Sequence, residues 1–398
     1  MSLDVAALRT HFPSLTTGVA HFDGPGGTQT PVQVGEAIAR TLTGPLSNRG
    51  TTTRAERNAE DAVAEFRTAF ADLLGSRPEG IVHGRSATQL TYDFSRALAK
   101  SWRPGDEIVL SQLDHDCNVR PWIQAAERAD VGVRWLRLDP ASAELDLGDL
   151  DQVINERTRL VAVTAASNLL GTKPPLARIA AHAHAVGALV YVDGVHYAAH
   201  AAVDRDELGA DFFACSPYKF LGPHCGVLAA DPELLEVLLP DKLKPSTNDV
   251  PERFELGTLP YETLAGATAA VDFLAGLAPA SGSRRERLVA AHHLIDAHES
   301  RLRGRIEDGL AGFGSRVTLH SKAADRTPTL FLTFADHDSA DASDFLAGRD
   351  IAAPAGTFYA YEPATAIGVA RGLRVGLAPY NTEAEVDRLL DGLAAFLR

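Results

Sequence analysis

Cysteine, basic charge and long apolar runs are all in short supply in this chain. Cysteine occurs three times in 398 residues, at Cys117, Cys215 and Cys225. An odd, widely spaced set cannot build a disulfide framework, and it fits a reducing compartment. Lysine and arginine number 38 against 52 acidic residues, giving a formal net charge of −14. A nucleic-acid or anionic-membrane binder needs a basic surface, so the balance argues against that class. No apolar run reaches the roughly 18 residues that a membrane-spanning helix needs. The start, Met1 to Leu8, has no basic region followed by an apolar core, so no secretory signal is expected. These absences together lead to the expectation of a cytoplasmic protein that crosses no membrane.

What is present is a large, ordinary globular composition, 45% hydrophobic. At about 100–200 residues per domain, the length suggests two domains. Short apolar runs alternate with helical patterns from Ile81 to Ala230. Glu107–Leu110, Val131–Leu138, Arg159–Thr164, Ala188–Val192 and Asp211–Cys215 read as strands. Such alternation predicts an α/β fold with a mostly parallel sheet covered on both faces. After a Pro- and Gly-containing stretch near 274–283 the pattern changes. One long amphipathic helix is expected over Arg284–Phe313, then strands at Thr329–Phe334 and Leu373–Leu377. A final helix is expected to begin at the capping box of Thr382 and Glu385. The expected division is a large α/β domain over 15–272 and a small α+β domain over 273–398, with residues 1–14 packing on the small one.

Two stretches carry chemistry. Tyr191-Val-Asp-Gly-Val-His-Tyr197 places an acid, Asp193, at the end of an apolar strand. Ser216-Pro-Tyr-Lys219 places a hydroxyl and an amine after the next one. The C-terminal edge of a parallel sheet is where ligands bind in open α/β folds. A lysine that forms a Schiff base, a carboxylate on a ring nitrogen and small donors for a phosphate are what pyridoxal phosphate chemistry requires. An ordinary strand-end acid and a surface lysine are equally compatible with these two stretches. Two further features point to a ligand. Gly84-Arg-Ser-Ala-Thr88 is a strand, small-residue turn and helix start suited to a phosphate. His21 to Pro31 is a Gly- and Pro-rich loop in which backbone can approach a ligand closely.

With these pieces in order, the chain resembles the class V aminotransferase family, and within it the cysteine desulfurase-like branch. The resemblance rests on Phe22-Asp-Gly, Leu113-Asp-His-Asp-Cys-Asn-Val119, Ser167-Asn-Leu-Leu-Gly171, Val192-Asp-Gly-Val-His196, Ser216-Pro-Tyr-Lys219, Arg253-Phe-Glu-Leu-Gly-Thr258 and Leu373-Arg-Val-Gly-Leu-Ala-Pro-Tyr-Asn381. It implies a pyridoxal-phosphate-dependent transferase of fold type I, with a small amino acid as substrate. It makes Lys219 the Schiff-base lysine, Asp193 the acid on the pyridine nitrogen, and His115 the histidine stacked on the ring, a candidate proton carrier. It places Asn168 and His196 at the ring hydroxyl, and Ala87, Thr88, Ser216 and Tyr218 around the phosphate. Thr258 is implied as a phosphate contact given to the other subunit of a homodimer. Arg374 is implied as the clamp for a substrate carboxylate, and Tyr359 with Phe358 as lining of the side-chain pocket.

The chain departs from that family at one place. Desulfurases carry a loop cysteine that takes sulfur from the substrate, and the corresponding region, Ile351 to Ala360, has no cysteine. Cys117 beside His115 is the only cysteine in an expected active-site loop; a substitute nucleophile and a packing residue, at a family position usually held by a small side chain, are its two readings, the second favoured. C–S bond cleavage on a cysteine-type substrate, by desulfuration or β-elimination, is the reading carried forward. Transamination or epimerisation of another amino acid is the alternative. Outside this set, His182 and His184 stand two apart on a helix and do not share a face as metal ligands would. His292 and His293 are expected at a solvent-facing or interfacial position, and Cys215 in the core.

Overall fold

The structure is a computed structural model that describes residues 2–279 and 281–398. Its centre is a seven-stranded sheet. The strands lie in the order Ile81–Gly84, Gly226–Ala230, Phe212–Cys215, Leu189–Asp193, Thr158–Thr164, Glu107–Ser111 and Gly132–Leu136. All neighbours are parallel except Gly226–Ala230, which runs antiparallel to both of its partners. The central strands are apolar on both faces because helices cover both. Val161, Val163, Val190 and Val192 pack into one core, and Leu160, Ala162 and Tyr191 into the other.

A second, four-stranded antiparallel sheet is built from Val317–Leu319, Thr329–Phe334, Gly372–Gly376 and Ala355–Gly356, in that order. The long helix Arg284–Ala311 and the last helix, Glu383–Phe396, pack together beside it. Both begin with the reciprocal cap of a hydroxyl and a glutamate three residues on: Ser283 with Glu286, and Thr382 with Glu385. The N-terminal segment touches both regions: Leu8, Phe12 and Leu15 join the core that holds Val161 and Val190, while Arg9 reaches the last helix. Phe12 lies against Phe273 and Tyr380, and Arg9 donates to the Tyr380 carbonyl and pairs with Glu385.

A long helix, Arg54–Leu74, opens on a capping box that Thr53 and Glu56 form ahead of its apolar face. Only a single helical turn, Leu150–Val153, precedes the strand Thr158–Thr164. Several elements differ from the sequence reading. Three helices of nine or more residues went unread, Val32–Thr43, Tyr261–Ala275 and Ser339–Ala347, as did the short Pro232–Val237 and Tyr361–Ala366. Tyr261–Ala275 is apolar on nearly every side and packs between Val32–Thr43 and Arg54–Leu74, so it shows no amphipathic period. His292 is buried within the chain, where a solvent-facing or interfacial residue was expected. Its Nδ1 lies 2.8 Å from the Leu288 carbonyl and its Nε2 3.2 Å from the Ala198 carbonyl. Among the described residues no helix is long and apolar enough to cross a membrane.

The parallel strands end at one edge of the large sheet, and three of those ends matter: Thr164, Asp193 and Cys215, the last followed by Ser216. The loop after Ser111 and the first turn of Ala87–Ala99 lie at the same edge. Gly226 sits directly under that first turn. A Cβ there would lie 2.3 Å from the Ser86 carbonyl carbon and 2.6 Å from the Ala87 nitrogen, both backbone atoms that cannot swing away. Gly226→Ala is therefore expected to destabilise the protein by about 1–3 kcal/mol through overpacking. It is also expected to displace the Ser86–Thr88 turn. Chemical denaturation, together with anion or cofactor affinity, checks both.

Candidate active site

A cavity of about 350 Å³ lies at that strand edge, closed on its far side by the small sheet. It gathers nearly every residue singled out from sequence: Ala87, Thr88, His115, Asn168, Asp193, His196, Ser216, Tyr218, Lys219, Tyr359 and Arg374 all line it. Its size is within the range of small-molecule pockets, about 300–1,000 Å³.

Asp193 is buried at the end of its strand. Its Oδ1 accepts the Val195 N–H at 2.9 Å, and the Cys117 thiol lies 3.5 Å from its Oδ2. Burial pushes this carboxyl above its usual range, while the Val195 and Cys117 hydrogen bonds pull it back. Lys219 is also buried, and its amine donates to the Pro25 carbonyl. Burial, then the Arg374 charge, brings the amine down to about 8. The amine is therefore far less firmly protonated than an exposed lysine.

His115 opens a short helical turn, and the Cys117 backbone N–H donates to its Nδ1 at 3.0 Å. Nδ1 is thus an acceptor, and the neutral ring carries its proton on Nε2. Burial, aided by Lys219 and Arg374, draws this imidazole down to about 4. The turn itself is tied down by Asp114. That carboxyl accepts from the Ser111 hydroxyl, from the Asn118 amide at 2.7 Å and from the Thr164 N–H at 3.0 Å.

Asn168 donates to the Phe358 carbonyl at 2.9 Å, and its Oδ1 has no partner. His196 meets the hydroxyls of Thr327 and Thr329 at 2.9 and 3.0 Å through Nε2, and its Nδ1 has no partner. Tyr218 stacks flat on His224 with ring centres 4.6 Å apart. Burial lifts its phenol to about 12, which keeps it a hydrogen-bond donor.

Three residues carry surprises. Arg374 is fully buried and already engaged: it pairs with Asp23 at 2.6 Å, donates to the Asn168 carbonyl at 3.2 Å and lies 3.7 Å under the Phe358 ring. Only its Nε has no partner. Tyr359 is 78% exposed, at the mouth rather than the wall. It and Phe358 are consecutive aromatics in the left-handed region, φ 57° and 54°, a conformation costly for bulky side chains. Hydrogen bonds to both carbonyls, from Asn168 to Phe358 and from Asp116 N–H to Tyr359 at 2.7 Å, hold that turn. Thr258 does not reach this cavity. It lies exposed beside a neighbouring cleft lined by Arg85 and His224.

The profile of the class-V aminotransferases matches residues 20–389. The chain belongs to the class-V aminotransferase family. It is 32% identical to an uncharacterised protein of Mycobacterium tuberculosis, over 99% of this chain and 100% of that one. It is 33% identical to a cysteine desulfurase of Dickeya dadantii, over 87% of this chain and 84% of the other. Among solved structures, the cysteine desulfurase CsdA of Escherichia coli superposes with a TM-score of 0.87 at 28% identity, covering 99% and 98% of the two chains. Class-V aminotransferases depend on pyridoxal phosphate, and this chain is a pyridoxal-phosphate-dependent enzyme of fold type I.

The cavity suits that cofactor on its own chemistry. It offers a buried amine of lowered proton affinity, a buried acid, a helix start at Ser86–Thr88 and neutral hydroxyl donors. It also holds three buried polar atoms without partners, Asn168 Oδ1, His196 Nδ1 and Arg374 Nε. The sequence reading missed Asp23 as the partner of Arg374 and Pro25 as the acceptor for Lys219. The signal was there, since both sit in the Gly-rich loop already marked for close backbone approach.

His115 gives a test of this electrostatic setting. In the unfolded chain its imidazole titrates near the ordinary value of 6.5, and in the folded chain near 4. The folded state therefore favours the neutral ring. Stability is fully present above pH 6.5 and is lost as pH falls from 6.5 towards 4, by up to about 3 kcal/mol from this residue. In the cofactor-free protein, His115→Phe is expected to reduce the slope of unfolding free energy against pH in that window, read by urea titrations at each pH.

Proposed function

We propose that this enzyme cleaves the C–S bond of a cysteine-type amino acid and does so by β-elimination. The observation that carries this reading is a complete lysine, acid and arginine set in one cavity whose covering turn, Ala355–Ala360, presents aromatic side chains and no thiol. Net, an S-substituted cysteine and water give pyruvate, ammonium and a thiol. The relatives named as cysteine desulfurases support the choice of a sulfur amino acid. The missing loop thiol supports elimination over transfer of sulfur to the enzyme.

Bound pyridoxal phosphate supplies an electron sink for charge developing at the substrate Cα. In this reading Lys219 holds the cofactor and later carries the Cα proton on Nζ, at a proton affinity near working pH. Asp193 keeps the ring nitrogen protonated. Asn168 and His196 would hold the ring oxygen, Asn168 Oδ1 as an acceptor for a ring hydroxyl and His196 through its free Nδ1. Ala87, Thr88, Ser216 and Tyr218 hold the phosphate through neutral donors. His115 serves as a platform for the ring rather than a proton carrier, because its Nδ1 lone pair is committed to the Cys117 amide. Arg374 receives the substrate carboxylate at a guanidinium that Asp23 keeps in place. Tyr359 and Phe358 border the substrate side chain.

The working unit in this reading is a homodimer, with Thr258 of each copy serving the other copy's phosphate site. Its exposure and its distance from its own cavity support that. The three unpaired cysteines support a cytoplasmic setting.

Incubating the cofactor-loaded protein with L-cysteine and L-cystine, and following pyruvate, alanine and sulfide, tests the reaction. Pyruvate with released sulfur is expected. Alanine with transferred sulfur would point to desulfuration, and a keto acid retaining the sulfur to transamination. Lys219→Ala is expected to lose the visible band of the bound cofactor and at least a thousandfold in turnover, since it removes the group that acts in every step. A retained band would refute the lysine assignment.

A further inference from the structure

Cys117 has no part in the reaction as proposed, yet it touches two of that site's main groups through two different atoms. Its backbone N–H holds His115 Nδ1 at 3.0 Å, and its Sγ lies 3.5 Å from Asp193 Oδ2. The other Asp193 oxygen is taken by the Val195 N–H. Cys117 therefore supplies the side-chain hydrogen bond that the described residues give this carboxylate. The thiol stays protonated, because burial and the adjacent Asp193 charge both push it up. A protonated thiol pinned to a carboxylate is a poor nucleophile and a usable donor.

We propose that Cys117 is a positioning residue, whose S–H holds the Asp193 carboxylate in the orientation that serves the cofactor's ring nitrogen, and that it accepts no sulfur from the substrate. The proposal rests on the pyridoxal phosphate reading of the site. It accounts for a cysteine here: the side chain is small enough for the crowded turn and still carries a donor, which alanine lacks. The titratable groups facing Asp193 are Cys117, Lys219, Asp114, Tyr191, Tyr218 and Cys215. Of these, Cys117 donates to it.

The test compares wild type with Cys117→Ala and Cys117→Ser, reading cofactor affinity and the visible band of the bound cofactor against pH. Loss of the S–H leaves Asp193 more basic. Cys117→Ala is expected to bind cofactor roughly three- to tenfold more weakly. The acid limb of its visible titration is expected about half a pH unit higher, because Asp193 takes up its proton sooner. Cys117→Ser restores a donor and is expected to bind within about twofold of wild type, with the acid limb at or below the wild-type position. A purely structural role would lower stability without moving that limb. Should the alanine variant fail to fold, Cys117→Val, which keeps bulk without a donor, stands against Cys117→Ser in the same comparison. An Ala or Val variant with wild-type affinity and acid limb overturns the proposal. So does a persulfide found on Cys117 by intact mass after exposure to L-cysteine. A wild-type chain that takes up no cofactor overturns both this and the reading beneath it, whereas a normal wild-type band with unaltered variants overturns the role of Cys117 alone.

Discussion

The Arg374–Asp23 ion pair is the contact on which the cavity depends. Arg374 comes from the small sheet, and Asp23 from the loop that follows the N-terminal segment, 351 positions away in sequence. A buried guanidinium left without a carboxylate would be strongly destabilising, by about 3–5 kcal/mol for a fully enclosed pair, and by less here because Asp23 is 38% exposed. The pair joins the small sheet to the Gly-rich loop. The same loop presents the Pro25 carbonyl to Lys219, at the edge of the large sheet. One electrostatic requirement thus ties three separate parts of the chain around one space.

That space concentrates charge where water is scarce, and its side chains respond in different directions. Burial raises Asp193, lowers Lys219 and lowers His115, each toward its neutral form. Hydrogen bonds then select what each group can do. Asp193 is drawn back toward its charged form by the hydrogen bonds that Val195 and Cys117 donate to it. His115 gives up its lone pair to a backbone amide, which leaves it a flat apolar surface with one outward N–H. Lys219 is left as the titratable amine closest to working pH. A site with several ionisable residues is reduced by local geometry to one amine suited to carry protons.

The sheet was legible because its physics is local. Val190 and Val192 face one core and Tyr191 the other, so a doubly buried strand shows as an unbroken apolar run. The acid and the amine were legible for the same reason, since a strand end followed by polar residues is visible in the chain itself. Tyr261–Ala275 was not legible, because a helix buried all round loses the periodicity by which helices are read. His292 was misplaced because its two carbonyl partners, Leu288 and Ala198, come from its own helix and from a turn 94 positions away.

The sequence by itself determined the alternation of strands and helices, the strand-end placement of Asp193 and Ser216, the lysine three residues on, and the absence of a thiol in the covering turn. Each of these is a matter of residue type and spacing, fixed once the chain is written. Only the tertiary structure decided that Asp23 occupies Arg374, that Phe358 lies over that guanidinium, that Tyr359 stands at the mouth in a left-handed turn, and that Cys117 meets Asp193. Those contacts join residues far apart in the chain. Their energies arise from burial and from hydrogen-bond direction, and neither exists until the two sheets have closed on one another.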